Sequence, residues 1–256
     1  MSDGPPTRAD AAGLDLPPGY RAIALREYKD AMAHAKAVAA TDGAGTLVFV
    51  RRFDTVEFAV VLEPEEPLGE ARRAIYAIMN AVADALAAHV APEKPVTFDW
   101  PDTIRIDGGI IGGATLAWPE GASETEPPHW LVAGAILRSV VPLSGGARNP
   151  YDMVAMAGTS LDIEGIGMLD PTALIEGFSR HLMVYVDRWQ EFGFPPVGRT
   201  YLDRLTSDPA RRLTIAGNGD LIERGLDRPE TIARHDLTAA LATPKWRDPA
   251  TGEPWL

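Results

Sequence analysis

The stretch of this chain richest in groups able to do chemistry together is FDWPDTIRIDGGIIGGATL, residues 98–116. Trp100-Pro101-Asp102 closes an apolar run, Asp107-Gly108-Gly109 reads as a hairpin turn, and Gly112 and Gly113 fall inside the return strand. Paired glycines weaken a strand and need a reason. One reason is a ligand brought close to the backbone; the other is a β-bulge or tight packing on a helix. Asp102, next to Trp100, can order a ligand amide or hydroxyl, or simply form the turn. Arg51 and Arg52 are adjacent in a polar connection and can clamp a phosphate or a carboxylate. The plainer reading is two solvated turn residues. Arg105 alternates in phase with Thr103 and Asp107, which places it at the surface.

Other chemistries are excluded by the same inspection. The chain has no cysteine, so disulfides, thiolate nucleophiles and zinc or iron–sulfur sites built on Cys are ruled out. No Gly-Lys-Ser/Thr string supports a nucleotide P-loop, and Gly43-Ala44-Gly45 precedes a strand without the third glycine of a dinucleotide fingerprint. The five histidines (His34, His89, His129, His181 and His235) share no ligand spacing, so no metal site is expected. A Gly-x-Ser-x-Gly elbow is missing as well.

These residues must be positioned by secondary structure, and the pattern predicts it as follows. After a Pro-rich arm, 1–19, residues 20–40 place Leu25, Tyr28, Met32, Ala35 and Ala39 at helical spacing. Residues 43–50 and 55–64 read as strands joined by the polar RRFD. A long helix over 69–90 carries the stripe Ile75, Ile78, Met79, Val82 and Leu86. Strands follow at 95–100, in the hairpin 103–118 and at 129–139, with an exposed acidic loop, PEGASETEPP, before the last. Residues 142–167 show no dominant period. Asp170 as N-cap and Pro171 at the first position open a helix to 192, which Gly193-Phe-Pro-Pro ends. The remainder, 206–256, reads as a small β-rich piece. The predicted class is α+β: a mixed β-sheet flanked by helices, with a core domain over 20–205 and a small β-rich domain over 206–256.

Composition narrows the partners. With 24 basic and 36 acidic residues the net charge is −12, and all of the excess lies before Arg199, since residues 199–256 hold nine of each sign. Such a chain is a poor match for nucleic acid or anionic lipid. The longest stretch without Asp, Glu, Lys or Arg is twelve residues, 108–119. A bilayer-spanning helix needs about 20 apolar residues. The polar start MSDGPPTRAD has no apolar core of a secretory signal. A cytoplasmic protein is expected.

The segment around Trp100 resembles the biotin and lipoate protein ligases, whose signature runs Lys-Trp-Pro-Asn-Asp, strand, Gly turn, Lys-Ile-Ala-Gly-Ile-Leu. Trp100-Pro101 stand at the signature Trp-Pro, Asp102-Thr103 where the family has Asn-Asp, and Asp107-Gly108-Gly109 at the turn. Ile110-Ile111-Gly112-Gly113-Ala114 match the Lys-Ile-Ala-Gly-Ile run. HWLVAGAILRS is similar to the family's Val-Ile-Gly-Ala-Gly-Ile-Asn strand, and the helix 170–192 with GFPPVGRTYLDRL looks like its closing helix. The tail resembles the small C-terminal β-domain of the ligases. Two departures stand out. The family lysine that contacts the acyl carboxylate and phosphate corresponds to Ile110, and removing such a cation costs a few kcal/mol of transition-state stabilisation. The glycine- and arginine-rich adenylate loop is reduced to Val50-Arg51-Arg52-Phe53-Asp54. Of the four lysines, Lys29, Lys36, Lys94 and Lys245, none lies in the hairpin.

The resemblance implies a protein that binds a small acyl carboxylate of the biotin, lipoate or octanoate class, or its adenylate, and joins it to a lysine of an acceptor carrier protein. ATP or the acyl-adenylate would be its co-substrate. The implied ligand-binding residues are Arg51, Arg52, Trp100, Asp102, Gly112 and Gly113. An acyltransferase taking the group from a carrier thioester would need less adenylate machinery. A catalytically silent ligase homologue, binding a ligand or recruiting a partner, is the alternative that Ile110 favours.

Overall fold

The computed structural model describes residues 13–141, 158–167, 169–228 and 230–254. Residues 1–12 of the expected arm, and 142–157 of the segment without a period, lie outside the described residues.

Alternating β-branched and aromatic residues build a seven-stranded sheet from β1 (Arg21–Leu25), β2 (Thr46–Val50), β3 (Thr55–Leu62), β4 (Val96–Asp99), β5 (Thr103–Ile106), β6 (Gly109–Ala117) and β7 (Leu131–Arg138). Their spatial order is β1-β2-β3-β7-β6-β5-β4. β1 runs parallel to β2 and every other neighbouring pair is antiparallel, so the sheet is mixed. One row of paired residues crosses it: Val56 to Leu137, Leu137 to Gly112, Gly112 to Ile104.

The two faces are covered differently because strand side chains alternate between them. Leu47, Phe49, Val56, Phe58, Val60, Ala133, Ala135 and Leu137 point into the main core with α3 (Ala74–Ala87) and α4 (Pro171–Phe192). Phe58 and Phe178 meet there with ring centroids 4.5 Å apart. Val48, Val50, Ala59, Val61 and Val132 point the other way, onto Ala31, Ala35 and Ala39 of α1 (Ala31–Asp42). α3 is buried on nearly all sides because α4 and α5 (Pro195–Arg204) enclose it on the side away from the sheet.

A three-stranded antiparallel sheet follows, β8 (Arg211–Ile215), β9 (Leu221–Gly225) and β10 (Ile232–His235), and then the short α6 (Leu237–Leu241). It is fastened to the larger body by Tyr76, whose hydroxyl donates to the Gly219 carbonyl at 2.5 Å.

Three expectations are corrected. Residues 21–25 are strand β1, not the start of a helix: parallel pairing with β2 outweighs the local spacing, and the helix begins only after Asp30, whose side chain accepts from the Ala33 amide at 2.7 Å. The helix expected over 69–90 is two pieces, α2 (Leu68–Ala71) and α3, separated at Arg72 and Arg73. These two arginines are buried. Arg72 stacks on Trp118 and pairs with Glu124, while Arg73 lies over Phe194 and Trp189 and pairs with Glu66 and Glu70. The prolines after Gly193 end α4 but also open α5, where proline at N1 and N2 lacks only amide hydrogens that a helix start leaves unpaired.

Candidate ligand site

The strand glycines have two different explanations. Gly112 has φ +152° and a Cβ on it would lie 2.0 Å from the Ile136 carbonyl oxygen. It sits where the β5–β6 register shifts, so the bulge and the close approach of β7 account for it without a ligand. Gly113 pairs with Ile136 on the α1 side of the sheet, and a Cβ there would meet the Asp102 carbonyl and the indole of Trp246, each about 2.4 Å away. The cradle over Gly113 is therefore a slot sized for a flat ring, and Trp246 lies in it fully buried.

Asp102 lines the same slot, only 2% exposed. Burial pushes its carboxyl up to about 7, against the opposing pull of the Trp246 indole, the Thr103 hydroxyl and Lys245. The Trp246 Nε1 acts electrostatically on that carboxyl but completes no well-formed hydrogen bond.

Along the same face lie the charges. Alternation from Val132 puts Arg138 on the α1 side, and alternation from Ala59 and Val61 does the same for Glu57, which accepts from the Ala31 amide at 2.6 Å. Arg138 is only 4% exposed; its Nη2 donates to the Pro254 carbonyl, and its Nε has no partner among the described residues. Burial lowers its pKa. Arg52 binds Asp54 through two hydrogen bonds of 3.0 and 2.9 Å, meets Glu253 at 2.9 Å and approaches Glu57 at 3.8 Å. The Arg52 contact holds Asp54 below the usual carboxylate range, whereas burial raises Glu57. Two guanidinium groups, one of them buried, thus stand near one end of the face that holds the slot.

The sequence candidates separate accordingly. Arg52, Asp102 and Gly113 all touch one segment, residues 245–254. Arg51 instead lines an open pocket of about 470 Å³ with Phe49, Phe53, Glu27, Asp170 and Thr172, its guanidinium 6.0 Å from the Phe49 ring centroid. Arg52 borders that pocket too. Trp100 points elsewhere: its Nε1 donates to the Tyr76 hydroxyl at 2.9 Å and its ring lies 5.9 Å from His235, so it buttresses the small sheet. Arg105 pairs with Asp99 and caps the hairpin by donating to the Gly108 carbonyl at 2.6 Å. Ile110 is buried on β6 and bridges to Gly158.

Trp246, Glu253 and Glu57 were not singled out by sequence. A tryptophan in a tail rich in Pro, Asp and Gly is a usable signal, since so large a ring is mostly buried. Among the described residues no group of His, Asp or Glu could hold a metal ion. None of their helices is long and apolar enough to cross a membrane.

Comparison with known proteins places this geometry. The model of the biotin/lipoate A/B protein ligase family matches residues 16–203. The fold is similar to a biotin protein ligase-like protein of unknown function from Silicibacter sp. TM1040, at 24% identity and a TM-score of 0.74, covering 88% of this chain and 98% of that one. It is also similar to biotin protein ligase from Aquifex aeolicus, at 14% identity, TM-score 0.62 and coverage of 84% and 94%. The same Aquifex enzyme in complex with biotin and ATP aligns at a TM-score of 0.59, again 14% identical, over 84% of this chain and 95% of that one. No curated protein matches the chain.

Proposed function

This chain belongs to the biotin/lipoate A/B protein ligase family, and from that premise we propose that it binds a small acyl carboxylate or its adenylate and transfers the acyl group to a lysine of an acceptor carrier protein. The observation that carries the reading is the buried Arg138 guanidinium, whose Nε has no partner among the described residues, near Arg52 on the face that holds the flat slot at Gly113. A buried cation without a full set of acceptors favours an anion at that place. In this reading the slot takes the acyl group's ring or chain, Asp102 orders its polar end, and the two arginines hold carboxylate or phosphate. The acceptor amine attacks the acyl carbonyl, the amide C–N bond forms, the C–O bond to phosphate breaks, and AMP leaves as the nitrogen gives up a proton.

The chain would perform this chemistry with fewer cations than its relatives' signature carries. Ile110 cannot neutralise the phosphate, and the connection 51–54 has no glycines to wrap it. Two consequences follow. Acyl transfer from a preformed adenylate or a carrier thioester is favoured over activation with ATP, and pyrophosphate exchange with biotin or lipoate is expected to be very slow or absent. The second reading, a silent homologue that binds a ligand or partner, is favoured by the same Ile110.

A thermal-shift panel with biotin, lipoate, octanoate, their adenylates and ATP tests both. A true ligand at 100 times its dissociation constant stabilises by about 2.7 kcal/mol. Binding with transfer to a carrier lysine supports the first reading, binding without transfer the second, and no binding by any probe removes the first and leaves the second only as a partner-binding protein. Robust pyrophosphate exchange would show that another cation does the lysine's task.

A further inference from the structure

The segment after α6 lies where the proposed ligand would lie. Its contacts coincide with the site residue by residue: the Trp246 ring fills the slot over Gly113 and Asp102, Glu253 pairs with Arg52 at 2.9 Å, and the Pro254 carbonyl accepts from Arg138. A flat bicyclic ring, a carboxylate and a carbonyl occupy the three kinds of subsite that the ligand-binding reading assigns to an acyl group and its acid end.

The segment is also built as a unit of its own. Asp248 donates its amide to the Glu253 carbonyl at 2.8 Å, Gly252 donates to the Asp248 carbonyl at 2.7 Å, and Arg247 bridges to Pro254 and donates to the Gly252 carbonyl. Gly252 takes φ +76°, a left-handed conformation that closes this small loop. Its backbone hydrogen bonds are mostly internal, so leaving the sheet costs few of them. The fit is imperfect as well: among the described residues Arg138 Nε is buried without a partner, and Trp246 Nε1, though near the Asp102 carboxyl, completes no well-formed hydrogen bond. A ligand that offered an acceptor to Arg138 would compete well, and water would satisfy the Trp246 indole once the segment left.

We propose that residues 243–254 form an intramolecular strap that occupies the acyl cleft and must swing out before a ligand enters. This rests on the ligand-binding reading above. A site that is open only a fraction of the time loses apparent affinity in proportion to that fraction, so the strap sets the ligand concentration at which the protein responds.

Hydrogen exchange on the full chain, with biotinyl-5′-AMP, lipoyl-5′-AMP or octanoyl-5′-AMP as probe, tests this. In the native protein, residues 243–254 should exchange at least tenfold faster than β6 and β7. Glu253→Gln should speed them severalfold further without altering those strands. Probe should accelerate exchange in 243–254 while slowing it in β6 and β7, and Trp246→Ala should bind the same probe at least tenfold more tightly than the native chain. Slowing of 243–254 together with β6 and β7 on probe binding would overturn the strap as an obstacle, as would a Trp246→Ala protein that folds yet binds no tighter. If no probe binds either protein, the ligand-binding reading falls and exchange alone decides. Opening of 243–254 ahead of the sheet then keeps the strap as a detachable cover, and exchange in step with β6 and β7 removes it.

Discussion

Two neighbouring glycines on one strand separate the two faces of the sheet. Gly112 is required by the backbone, through its φ of +152° and the Ile136 carbonyl against it, on the row that joins Leu137 to Ile104 beneath the helices. Gly113 has an ordinary backbone and is required by two neighbours, the Asp102 carbonyl and the Trp246 ring, on the face that α3 and α4 leave open. The side covered by α3 and α4 is mainly apolar and closed by aromatic contacts such as Phe58 with Phe178. Its counterpart, beside the apolar patch under α1, collects Arg52, Arg138, Glu57 and Asp102 against a short polar segment. Stability is concentrated on one side and adjustable chemistry on the other.

The sharpest way to break that contrast is to substitute both glycines. Gly112→Val should abolish cooperative unfolding altogether, seen as loss of the transition in a urea titration. Gly113→Val, whose Cβ also meets the Asp102 carbonyl, should lower stability yet keep a cooperative transition, while displacing the 243–254 segment and blocking ligand. Equal loss of fold in both would mean that the two faces serve packing alike.

Truncation of large rings comes next in size. Phe178→Ala should lower unfolding free energy by about 3–5 kcal/mol, the usual cost of an emptied aromatic site. Trp246→Ala, though equally buried, should cost about half of that or less, because only the docking of one segment is lost. Chemical denaturation of both proteins decides it.

Asp102 gives a third test, in pH. A carboxyl pushed up to about 7 keeps its proton in the folded chain where the unfolded chain has lost it. Stability therefore falls as pH rises from about 4 to about 7, by at most roughly 1.4 kcal/mol per unit, and levels off above. Asp102→Asn should flatten the curve across that window. A slope unchanged by the substitution would place its origin elsewhere.

The smallest effect expected is on the arginines. Arg52→Ala should weaken binding of an adenylate about tenfold, roughly 1.4 kcal/mol, and the loss should shrink in high salt. Arg51→Ala, at the open pocket, should do less. Calorimetry on the two single variants ranks them.

Much of this was legible in the residues because the strongest signals are local. The stripe of α3, the Asp170-Pro171 start of α4 and the hairpin at Asp107-Gly108 each need only their own neighbours to be understood. β1 is not legible, since the five residues RAIAL carry no period that outweighs a coincidence with the helix beyond them; its strand character comes from β2. α5 is equally hidden, since Pro195 and Pro196 signal an end and a beginning alike. For the site, Arg52, Asp102 and Gly113 were visible through a resemblance, but Trp246 and Glu253 meet them only through contacts across more than a hundred residues of chain. Such pairings leave no spacing to read.

The sheet order places β7 between β3 and β6, and this has a consequence for synthesis on the ribosome. Leu62 of β3 waits for its partner Leu131 across 69 positions of chain. At ~5–20 residues per second, roughly 3 to 14 seconds pass between the emergence of the two. Through that interval β1–β3 present an unpaired inner edge on one side of the gap, and once Ala117 has been made β4–β6 present another on the opposite side. β7 is a keystone set last into an arch. A nascent chain stalled before Leu131 would carry two open apolar edges, each a template for pairing with a neighbouring chain.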